Sequence, residues 1–314
     1  MKPLDPMRLI RWTSGANVPS DLPISDTDPD PGIFGPDSIT WRLHKEQWLI
    51  AAGARAFLLQ AAHPVVAQGA LDHSRFAEDP YGRVYNTVHA MVGLIFGTTR
   101  EVNTIAQRIN RLHHTVTGTL RESAGRHTTG AAYSAMDAPA LLWVHAAFVD
   151  SIISAYTSFV GPLTPAERDQ YWQESCRYAR RLGLTDADLP PSYPALQSYI
   201  RQAIATGEVA VGAGARSIAQ TVLYPPMPWY RRPLWAIIQI MTIGQLPAEL
   251  QRQYGIRWRQ RDRAAFRIVC AVARLLRHLL PQFLGESMVY TFAQRRIAGG
   301  LPREVSETVK AVQS

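Results

Sequence analysis

The chain has 314 residues, 46% of them hydrophobic and 18% charged, a balance ordinary for a globular fold with a large core, so disorder is not the default reading. Its 33 basic side chains against 25 acidic ones give a formal charge of +8, yet only Lys2, Lys45 and Lys310 are lysines and no nucleic-acid reader motif accompanies the arginines. Nucleic acid is therefore set aside as a partner.

Residues 1–37 carry Pro3, Pro6, Pro19, Pro23, Pro29, Pro31 and Pro36 among several aspartates, a composition that resists helix and strand and reads as an extended or partly disordered arm. No apolar run follows Lys2 and Arg8, so no secretory signal is expected and the chain reads as cytoplasmic. From Ser38 to about Gly69, Trp41, Leu43, Leu49, Phe57 and Leu58 recur near a 3.6 period, and Pro64 should kink or split that helix. Further helices are expected over 83–96, stopped by Gly97, and from about 100 to 118, with the polar 121–129 as a loop. Asp137 can cap an apolar run from Leu141 to Tyr156 that should be central, and Thr164-Pro165-Ala166-Glu167 reads as a capping box with proline at the first helical position. Helices are also expected near 194–206, 208–223, 233–244, 248–254 and 262–280.

The stretches 234–246 and 264–284 are the most apolar. The first is too short to span a bilayer and the second is broken by Arg267, Arg274, Arg277 and His278, so both are expected as core helices, with peripheral membrane contact left open. No period-two strand pattern or internal repeat stands out. Cys176 and Cys270 lie too far apart in sequence for a CxxC-type site and are expected as buried thiols. The expected fold is all-α: a single-domain bundle of roughly eight to ten helices over 38–290, with 291–314 as a C-terminal tail.

Among nine histidines, His63 and His145 sit in apolar surroundings, where burial disfavours the charged form and leaves a neutral imidazole able to ligate a metal. Taken alone, each reads first as a core histidine hydrogen-bonded to backbone or to another side chain; a third group of residues counts against that reading. Arg111, His114 and Thr115 stand at i, i+3 and i+4, so one helix face presents a cation, an imidazole and a hydroxyl together. Glu-x-x-His, HExxH, P-loop and GxSxG patterns are missing, which removes the usual support for di-iron, zinc-hydrolytic, nucleotide and acyl-transfer chemistry. A lone buried imidazole suits haem, whose iron needs one or two axial ligands from the protein. Arg75 and Arg83 are candidates for its propionates, although they can equally pair with Glu78 and Asp79.

Leu58-Leu-Gln-Ala-Ala-His-Pro64, His73-Ser-Arg-Phe76 with Asp79-Pro-Tyr-Gly-Arg83, Arg111-Leu-His-His-Thr-Val-Thr-Gly118 and Leu142-Trp-Val-His-Ala-Ala-Phe-Val-Asp-Ser151 follow one another in order. Together they resemble the family that joins the mycophenolic-acid-pathway oxygenase to the latex-clearing rubber oxygenases, including its uncharacterised bacterial branch, over roughly residues 38–260. The resemblance implies haem b in a pocket at the core of the helical bundle, with His145 at the proximal iron position and Arg111 and Thr115 on the distal side. His114 stands where rubber oxygenases place a lysine, so it is either a distal proton donor or a second axial ligand. A dioxygen-dependent oxygenase or oxidoreductase acting on a hydrophobic, isoprenoid or lipid-like molecule, fed by an unknown reductant, is the leading expectation. A bis-histidine haem carrier or sensor, and a helical interaction module without cofactor, are the alternatives.

Overall fold

Six helices among the described residues start with a proline in their first turn, where its missing N–H costs nothing and its fixed φ favours the helix. In the computed structural model, residues 24–25, 27–74, 80–225, 227–279 and 286–299 are described, with the backbone alone described at 50 and 80–84. Thirteen α-helices occur among them: α1 (Ile39–His44), α2 (Ile50–Ala61), α3 (Pro64–His73), α4 (Pro80–Phe96), α5 (Thr99–Thr115), α6 (Ala138–Phe159), α7 (Pro165–Arg181), α8 (Tyr193–Ala205), α9 (Ala213–Leu223), α10 (Arg232–Ile243), α11 (Ala248–Gln253), α12 (Gln260–Leu279) and α13 (Met288–Ile297). The number passes ten because the helical stretch from Ser38 is cut twice, by a 3₁₀ turn at Gln47–Leu49 and at Pro64, where the chain bends by 102°. An antiparallel hairpin of β1 (Thr117–Thr119) and β2 (Ala132–Ser134) brackets the 121–129 loop; three-residue strands are too short to show a period in sequence.

Helix α6 is the centre. It is apolar nearly all round and is long and apolar enough to cross a membrane by composition, but Trp143, Ala146, Ala147, Val149 and Ala155 are enclosed by protein. It packs most extensively on α2, where Ala51, Ala52, Ala56 and Ala61 let the two backbones approach, and Trp143 Nε1 donates to the Leu59 carbonyl at 2.8 Å. Helices α7, α8 and α12 cover its other sides. Burial of each large side chain such as Trp143 or Trp172 contributes roughly 2–3 kcal/mol.

Three local expectations are corrected. Asp137 holds the N-cap position of α6, but its carboxylate accepts from Ser134 N at 3.0 Å, outside the helix, and makes no cap bond. Helix α12 is not a core helix on all sides: Ala273 is its buried position, while Ile268, Val272, Leu275, Leu276 and Leu279 face outward. Cys270 is half-buried rather than buried, unlike Cys176.

The described part of the N-terminal arm forms no helix or strand, yet it is docked. Ile24 is buried beside Trp41, Ile95, Phe96, Val289 and Ala293, and Asp30 accepts from Thr99 N at 2.7 Å. Helix α13 crosses the boundary expected at 290/291, and Arg296 is buried with its Nη2 donating to the Asp30 carbonyl.

Candidate functional site

His145 stands in the second turn of α6, a buried imidazole whose pKa burial pushes down to about 3, so it is neutral at physiological pH. Trp172 and Tyr178 of α7 flank it, with ring centroids 5.2 and 5.1 Å away. Its Nε2 lies 3.2 Å from Ser175 Oγ, and that hydroxyl gives its one hydrogen to the Trp172 carbonyl at 2.7 Å. Toward His145 the serine can therefore only accept, which places the imidazole proton on Nε2 and leaves Nδ1 a bare lone pair. Nδ1 is buried and has no hydrogen-bond partner, and neither has the buried hydroxyl of Tyr178 beside it. Two orphaned polar atoms in one place are unusual, since each costs about 1–3 kcal/mol when desolvated without a partner. A neutral imidazole with an unused lone pair among aromatic side chains is the donor an axial haem ligand requires.

His63 enters a different group. It is the N-cap of α3, its Nδ1 accepting from Val65 N at 3.3 Å, so its Nε2 donates to Glu208 Oε1 at 3.2 Å. His127 Nε2 donates to the Glu208 carbonyl at 3.0 Å and lies 3.6 Å from Oε1, and Arg126 pairs with Oε2. The convergence depends on Gly125 and Gly207, both at positive φ. A Cβ on Gly125 would fall 2.0 Å from the Gly207 carbonyl oxygen, so only glycine lets the loop sit there. Burial first, then the Arg126 charge, lowers the His63 pKa to about 4, and burial does the same for His127. The metal-ligand atoms of the three groups lie within 4.8 Å of one another, but both imidazole nitrogens facing Glu208 serve as donors, which makes this a hydrogen-bond network as folded.

Arg111, His114 and Thr115 all lie exposed on α5, and Thr115 Oγ1 donates back to the Leu112 carbonyl at 2.7 Å. Arg75 falls outside the described residues; Arg83 lies in α4, its side chain outside what is described. An open cleft between α11 and α12, with Trp258, Phe266, Arg261 and Arg267 in its lining, includes none of the residues that touch His145. Sequence reasoning missed Ser175 and Tyr178, which reach His145 across 30 and 33 positions and carry no motif. It also missed Arg55, a buried guanidinium that donates to Asp150 Oδ2 at 2.6 Å, Ser151 Oγ at 2.7 Å and the Gln245 carbonyl at 2.9 Å. The Asp150-Ser151 end of the α6 motif is its partner.

An all-helical domain with a neutral, partly unsatisfied imidazole in its central helix is the class of protein these features define. Residues 41–275 match the family described as ER-bound oxygenase mpaB/B'/Rubber oxygenase, catalytic domain, and the chain belongs to that family. It is an oxygenase-type catalytic domain. Two uncharacterized proteins, one of Mycobacterium bovis and one of Mycobacterium tuberculosis, are each 23% identical over 231 residues, which cover 71% of this chain and 87% of the relative. No solved structure matches the chain.

Proposed function

We propose that this protein is a haem b-dependent oxygenase, or a closely related oxidoreductase, that acts on a hydrophobic small molecule with dioxygen and an external reductant, His145 being the axial ligand to the iron. The observation that carries the reading is the buried lone pair of His145 Nδ1, left without a partner next to the equally unpartnered Tyr178 hydroxyl. Bound haem would supply the iron that activates dioxygen. The protein's own part is to hold the imidazole in one tautomer through Ser175 and to wall it with Trp172 and Tyr178. Arg111, His114 and Thr115 are proposed as the polar groups of the oxygen side, with His114 also the candidate second ligand. His63, Arg75 and Arg83 are the proposed contacts to the rest of the cofactor. An isoprenoid or lipid-like substrate, a cytoplasmic location and peripheral contact with a membrane complete the proposal.

The test is an absorption spectrum of haem-supplied protein, ferric and dithionite-reduced, with and without carbon monoxide, beside His145→Ala. A strong Soret band that shifts with carbon monoxide and disappears in the variant is the expected result. A band indifferent to carbon monoxide would assign a closed bis-histidine carrier instead. Failure to take up haem stoichiometrically would sink both and leave a helical interaction module.

A further inference from the structure

We infer that the outward faces of α10 and α12 form a docking surface for an anionic phospholipid bilayer. This gives the peripheral contact proposed above its surface and its lipid class, and it does not depend on haem.

On α12 the exposed residues Ile268, Val272, Leu275, Leu276 and Leu279 fall at i, i+4, i+7, i+8 and i+11, a single stripe of the kind a globular protein normally turns inward. Here Ile268 is 63%, Leu275 57% and Leu279 69% exposed. Arg267, Arg274 and His278, also exposed, step along one edge of the stripe at the same helical period. Helix α10, which packs against α12, adds exposed Leu234 and Ile237, and the turn before it adds Trp229 and Tyr230, an exposed aromatic pair of the type favoured at bilayer interfaces. Ten of the twelve large hydrophobic side chains exposed among the described residues lie between 224 and 279.

Charge identifies the occupant. Residues 224–279 contain ten arginines and two acids, Glu249 and Asp262, so this stretch carries the entire +8 of the chain and the remainder is neutral. A second copy docked face to face would bring two such stretches together and repel. An anionic bilayer offers apolar depth for the stripe and opposite charge for its arginine edge, the combination that holds an amphipathic helix in the interface.

The experiment is co-sedimentation of the full-length protein with vesicles of phosphatidylcholine, alone or mixed with phosphatidylglycerol, at increasing salt. Partition onto the mixed vesicles only, weakening as salt rises, is the expected result. Ile268→Glu/Leu275→Glu and Arg267→Glu/Arg274→Glu should each lower it roughly tenfold or more. Leu112→Glu, an exposed leucine on α5, should leave it unchanged. His145→Ala should bind vesicles like the parent, which separates this inference from the haem reading. Equal partition of parent and Ile268→Glu/Leu275→Glu would overturn it. So would a lipid-free dimer that Leu275→Glu dissolves, which would make the face an interface between copies.

Discussion

Arg55 shows how much of this core hangs on single side chains. Its guanidinium is almost wholly buried and spends three nitrogens on Asp150, Ser151 and the Gln245 carbonyl, tying α2 to α6 and to the turn after α10. Asp150 also accepts from the Tyr193 hydroxyl at 3.2 Å. Removing one partner of such a pair strands the other charge in a low-dielectric interior, a cost of about 3–5 kcal/mol. Arg55→Met should therefore lower the urea-unfolding free energy by that amount, while Arg55→Met/Asp150→Asn should recover part of it; equal losses in the two would show that the stranded carboxylate is not the cause. A lone arginine within Ala51-Ala-Gly-Ala-Arg-Ala-Phe57 looks like an interruption of the apolar pattern. Its acceptors lie 95, 96 and 190 positions away, so nothing local announces them.

At the scale of elements, what was legible was what is written locally. The Thr164 capping box is present in both limbs, and the apolar run after Asp137 does become the central helix. Thr98 and Glu101 form a second capping box that the same rule would have found: Thr98 Oγ1 accepts from Glu101 N at 3.2 Å, and Glu101 Oε2 accepts from Thr98 N at 2.8 Å. Glu101 also receives Ser25 N, so this helix start anchors the arm. Because Thr98 is buried, Thr98→Ala should cost about 1 kcal/mol of stability and expose the arm to proteolysis; an arm no more sensitive than the parent's would show that its hold is independent of the cap. What was illegible was convergence. His145 with Ser175, and His63 with His127 and Glu208, join elements 30 to 145 positions apart through side chains that obey no spacing rule. Helix α12 shows the complementary limit: its apolar character was plain in the sequence and read as core, but whether an apolar face meets core or solvent depends on which neighbours the fold supplies.

For the whole molecule, the histidines set a direction in pH. Burial holds His44 and His145 near 3 and His63 and His127 near 4, all below the ordinary value of about 6.5 that the unfolded chain keeps. Between these values the unfolded state binds more protons, so their full contribution to stability is present above about pH 6.5 and is lost as pH falls toward 4. His145 alone should cost roughly 2 kcal/mol by about pH 5. The cofactor-free protein should accordingly unfold at clearly lower urea near pH 5 than near pH 7.5, and His145→Gln should flatten that slope; a midpoint unmoved over this interval would mean the imidazoles are solvated.

The positive excess of the chain and its exposed apolar stripe belong to the same segment of 56 residues, the other 258 being balanced in net charge. A negatively charged boundary attracts that segment from a distance, so capture by anionic vesicles should be faster at low ionic strength than at high, which stopped-flow association would read.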